Sequence, residues 1–63
     1  MVATRFNQDL SLATKNRAAA ALAQQTANQK HVPITMRRTR AGVDLLIGIV
    51  PGPNTLTFLP DAA

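Results

Sequence analysis

The sequence predicts a small α+β fold, with an N-terminal alanine-rich helix over about residues 9–29 and a short antiparallel hairpin or three-stranded meander over about 32–59. Three observations carry this reading. Residues 9–29 combine seven alanines with Leu, Gln, Lys and Arg and contain neither Gly nor Pro. From Val32 onward the spacing of apolar side chains changes to a period of two. Between the alternating runs stand Gly42, the pair Pro51-Gly52 and Pro60, each suited to a turn or a stop.

The helix comes first. Asn7 or Asp9 supplies a side-chain oxygen to cap its start, and Lys30 and His31 suit the negative end of its dipole. Pro33 forbids continuation. At about 100° per residue, Leu10, Leu12 and Leu22 point in three directions, so the leucines define no single apolar stripe. An alanine-rich helix of this kind is suited to close approach by a neighbour, and Ala18, Ala19 and Leu22 are its candidate docking positions.

Val32, Ile34 and Met36 then alternate with Pro33, Thr35 and Arg37, as a half-buried strand requires, and Pro33 predicts that this strand begins at a sheet edge. Arg40, Ala41 and Gly42 form the expected turn, with Gly42 free to take positive φ. The run from Val43 to Val50 is apolar and β-branched and reads as the second strand, although Val43, Leu46, Ile47 and Val50 also have helical spacing. Pro51 and Gly52 suit the centre of a type II turn, and Leu56 and Phe58 alternate with Thr55 and Thr57 in a third strand. Asp44 lies inside the second run and needs a cation, for which a hairpin closed at Gly42 offers Arg40 or Arg38.

With 63 residues the chain has room for one domain, divided into a helical part over 1–30 and an extended part over 31–63. A core of this size rarely supplies more than about 3–5 kcal/mol without a disulfide, a metal or a partner. Cys is absent, and Phe6 and Phe58 are the only aromatic residues, so the core is aliphatic and a partner is the expected stabiliser, completing the sheet. The lack of Cys and of a signal peptide favours a non-secreted, reducing compartment or a virion. Leu45 to Val50, six residues including Gly48, is the longest apolar candidate, far short of the roughly 20 needed for a membrane span.

Catalysis lacks the atoms. His31 with Asp9, Asp44 and Asp61 is the whole supply of groups titrating near or below neutrality, and no two have a spacing that suggests a site. One His and three scattered Asp do not form a metal centre, and Gly42, Gly48 and Gly52 match no phosphate-binding loop, so no cofactor is expected. Ser11 is the only serine and lies at the helix start, which leaves no nucleophile set.

Seven Lys and Arg against three Asp give a net charge of +4, which favours acidic partners. The basic cluster is Arg37, Arg38 and Arg40, a candidate contact for phosphates or carboxylates, although Arg37 and Arg38 must face opposite sides of a strand. The sequence therefore points to a small non-catalytic structural or interaction subunit that folds onto or between larger proteins, such as a minor component of a virus-like particle. The alternative is a basic protein associated with RNA or DNA through Arg37, Arg38 and Arg40.

Overall fold

The computed structural model describes residues 9–61. Two helical pieces, α1 (Ser11–Lys15) and α2 (Arg17–Lys30), precede three strands, β1 (Ile34–Thr39), β2 (Gly42–Ile47) and β3 (Thr55–Phe58). The strands form one antiparallel sheet in the order β2-β1-β3. The fold is thus a small α+β arrangement of a helix followed by a three-stranded antiparallel sheet.

Asp9 starts the helix: its Oδ1 accepts the Ser11 backbone N–H at 3.1 Å and the Ser11 hydroxyl at 2.6 Å. Asn7, the alternative cap, lies outside the described residues. The single helix expected over 9–29 is interrupted at Asn16, whose backbone sits at φ −130°, ψ 61°. The Asn16 side-chain amide and its backbone N–H both donate to the Leu12 carbonyl, at 3.2 and 2.9 Å. Asparagine competes for main-chain groups in this way, which is why it is a poor residue for a helix interior. His31 closes α2 in the left-handed conformation, φ 56°.

The buried side of the helical pair is Leu12 with Ala19, Ala20, Ala23 and Ala27, so the alanines form the stripe that the leucines lack. Ala23 and Ala27 pack on Ile34, while Leu12 packs on Met36 and Leu56. Small side chains let the helix lie close to the sheet, and Val43, Leu45 and Phe58 fill the margins. The core is aliphatic apart from Phe58.

A two-residue turn at Arg40 and Ala41 joins β1 to β2, and Gly42 follows at φ 136°. Thr39 Oγ1 accepts the Ala41 N–H and donates to the Gly42 carbonyl, both at 3.2 Å, tying the turn to the strand. The resulting register places Asp44 opposite Arg37. The expected partners do not face it, because Arg38 lies opposite Val43 and Arg40 is in the turn itself.

The sheet is not a meander. β3 pairs with β1, so β1 is the central strand and Pro33 does not mark an edge. Proline is tolerated there because it precedes Ile34, the first residue of the strand, and contributes only its carbonyl, which accepts the Gly48 N–H at 2.8 Å. The connection from β2 to β3 passes over the face away from the helices. Its turn falls at Pro53 and Asn54 rather than at Pro51 and Gly52, with Asn54 at φ 59° and the Thr55 hydroxyl donating to the Gly52 carbonyl at 2.7 Å. Proline pre-sets the first central position, and asparagine tolerates positive φ at the second.

Thr35 anchors this crossover. Its hydroxyl has one proton, which must go to the Gly48 carbonyl at 2.7 Å. Its lone pairs then accept the Val50 N–H at 3.1 Å and the Thr57 hydroxyl at 3.0 Å, which makes Thr57 the donor of that contact. Thr35 and Thr57 are both buried, so the far face of the sheet holds a polar cluster where the helix face holds an apolar one.

Candidate interaction surface

The three arginines share one end of the sheet and point apart. Arg37 is on the far face, where its guanidinium lies 3.9 Å from the Asp44 carboxylate. Both side chains are about half exposed, and such pairs contribute only about 0–1 kcal/mol. Arg38 is on the helix face, donating from its backbone to the Asn54 carbonyl at 3.0 Å and from its side chain to Asn54 Oδ1 at 3.3 Å. Arg40 is exposed at the tip of the hairpin. No single plane presents all three guanidinium groups to one ligand.

The titratable groups are equally dispersed. The Asp9 carboxyl is held below its usual range, chiefly by the Ser11 hydroxyl and further by the Ser11 N–H and by the charges of Arg38 and Lys15, with loss of hydration opposing. His31 is exposed at the far end of α2. Asp61 Oδ2 accepts the Asn28 side-chain amide at 3.2 Å, so its role is to hold the last described residues against the helix. Among the described residues, no group of three or more His, Cys, Asp or Glu could hold a metal ion, and no helix is long and apolar enough to cross a membrane.

Of the candidate docking positions, Ala19 is half-buried against the chain's own sheet, whereas Ala18 and Leu22 remain exposed. The helix therefore docks within its own chain through Ala19, Ala20, Ala23 and Ala27, with Ala18 and Leu22 facing outward.

The two edges of the sheet differ, which sequence reasoning missed. In an antiparallel strand the N–H and C=O of one residue point to the same side and alternate along the chain. Arg38 N–H bonds Asn54 on the β3 side, and Gly48 N–H bonds Pro33 on the β1 side. With the β1–β2 register, these two bonds set the outward groups of β2 as those of Val43, Leu45 and Ile47. Among the described residues, no hydrogen bond reaches them from another segment.

The β3 edge is tied off by the chain itself. The Thr55 carbonyl accepts the Asp9 N–H at 2.8 Å, and just beyond β3 the Leu59 carbonyl accepts the Gln24 side-chain amide at 2.7 Å. Gln24 also donates to Asn28, whose Oδ1 accepts the Asp61 N–H at 2.8 Å. Residues 59–61 are thereby strapped to α2.

The end of the sheet opposite the arginines is apolar. Ile47 is 72% exposed, Ile49 48% and Leu59 41%. The register places Ile47 and Phe58 opposite Ile34, so all three exposed residues cluster around the end at which β1 begins. The sequence does contain a signal for the open edge: β2 has one charged residue, Asp44, and neither Lys nor Pro, the residues that ordinarily protect an edge. No family model, curated protein or solved structure matches the chain.

Proposed function

We propose that the chain is a non-catalytic interaction subunit of a multi-protein assembly, attached to other protein chains through its β2 edge and the apolar end beside it. The observation that carries this reading is the asymmetry of the edges: β3 is sealed by Asp9 and Gln24, whereas Val43, Leu45 and Ile47 present unpaired backbone groups next to exposed Ile47 and Ile49. An edge of this kind takes an added strand, with main-chain hydrogen bonds supplying affinity and the alternate side chains supplying selectivity. The dispersed titratable groups support a role without chemistry of its own.

A photo-crosslinking side chain at position 49, compared with one at the exposed Gln25, tests the reading in cells that make the protein. The expected result is one discrete adduct from position 49, lost when Ile47→Lys is added. Equal adducts from both positions, or none, refute it.

The shared end of Arg37, Arg38 and Arg40 supports a second reading, contact with a nucleic acid. Three phosphate contacts predict a slope of log K against log salt of about −2.7. Their divergent directions favour the first reading.

A further inference from the structure

Resting on the interaction-subunit reading, we propose that the occupant of the β2 edge is a second copy of this chain, paired antiparallel about a two-fold axis at Leu45. The argument is one of register. The outward groups belong to Val43, Leu45 and Ile47, spaced two residues apart. An antiparallel copy satisfies all of them in one alignment only: Leu45 opposite Leu45 of the copy, and Val43 opposite Ile47 in both directions. Moving the axis by half a residue sets outward groups against inward ones, and moving it by a whole residue leaves an end unpaired.

The same alignment suits the side chains. Val43, Leu45 and Ile47 all project to the helix face, where Val43 and Leu45 already border the core. Pairing sets Ile47, the most exposed large apolar residue of the described chain, against the half-buried Val43 of the copy and extends that core across the axis. On the far face Asp44 lies opposite Leu46 of the copy, and Arg37 beside Asp44 offsets the carboxylate charge within its own chain.

Space permits the assembly. Ala23 and Ala27 of α2 rest on Ile34 of β1, and the two β1 strands stand three strand spacings apart, about 14 Å. Packed helices need about 8–10 Å between axes, so the helices clear one another and leave a groove lined by Val43, Leu45 and Ile47 from both copies.

Sedimentation equilibrium from about 10 μM to 1 mM, the range in which weak complexes populate, tests the pairing. The expected mass is that of two chains, 2 × 6.7 = 13.4 kDa. Ile47→Lys changes a side chain that its own fold leaves exposed, and because the Val43–Ile47 pair occurs twice it is expected to weaken dimerisation by about tenfold or more. In a mixed labelled and unlabelled sample, an intermolecular Hα–Hα NOE between Asp44 and Leu46 is expected, since these face each other as a non-hydrogen-bonded pair. A one-chain mass at all concentrations, a mass above two chains, or dimerisation indifferent to Ile47→Lys overturns the pairing. A monomer would leave the edge open to a different protein, which the crosslinking experiment judges independently.

Discussion

Replacing Thr35 by Val is the sharpest probe of how the crossover is held. Valine keeps the branched shape and deletes one oxygen, which accounts for three hydrogen bonds: to the Gly48 carbonyl, from the Val50 N–H and from the Thr57 hydroxyl. Thr35 is fully buried, so water does not take the place of its hydroxyl. A hydrogen bond of this kind contributes about 1 kcal/mol net. Gly48 and Val50 are only half-buried and regain some hydration, so the sum expected is about 3 kcal/mol. That approaches the whole stability of about 3–5 kcal/mol available to a core of this size.

Thr35→Ser is the control, since it retains the hydroxyl and loses a methyl group worth about 1 kcal/mol. The chain has neither Trp nor Tyr, so urea unfolding is followed by far-ultraviolet circular dichroism rather than fluorescence. A Val variant within about 0.5 kcal/mol of the parent, or a Ser variant as damaging as Val, would refute the bonding account given for Thr35.

Three further outcomes are expected. Ala23→Leu forces a branched side chain between α2 and β1 and destabilises by about 1–3 kcal/mol in the same urea assay, whereas Ala21→Leu on the exposed side changes stability by less than about 0.5 kcal/mol. His31→Gly relieves a left-handed residue costing about 1–2 kcal/mol, less about 0.5–1 kcal/mol of glycine chain entropy; melting rises by a few degrees, an effect that His31→Ala does not share. Because the folded pKa of Asp9 is depressed, its contribution is present above the unfolded value near about 3.9 and is lost as pH falls through the lower folded value. Asp9→Asn therefore flattens stability between pH values on either side of that window, and a carboxyl NMR titration at or above the unfolded value would contradict the bonding of Ser11 to Asp9.

Much of the local structure was legible in the sequence. The alanine-rich stretch is helical, the alternation after Val32 is strand, Gly42 takes positive φ, and Asp9 stands just ahead of the helix and accepts the Ser11 N–H. The errors share a cause. Pro33 suggested an edge because proline weakens a ladder, but here it stands one residue ahead of the ladder. The leucines define no apolar face, whereas Ala19, Ala23 and Ala27 recur every four residues and are the face that a close sheet selects. Without a register the sequence offers Asp44 either Arg38 or Arg40, and a two-residue turn makes the partner Arg37. The arginine cluster, contiguous in the chain, is divided by the alternation of the strand that carries it.

What the sequence determined by itself is the kind of each element, because helix propensity, strand alternation and turn chemistry act over a few residues. Strand order, register, the buried side of the helix and the identity of the open edge were decided only in three dimensions. They depend on contacts between residues far apart in the chain, such as Thr35 with Thr57 across 22 positions and Gln24 with Leu59 across 35. Local rules specify that three strands exist; closure of the Thr35 hydroxyl network and the tie of Asp9 to Thr55 place β3 beside β1 and leave β2 on the outside.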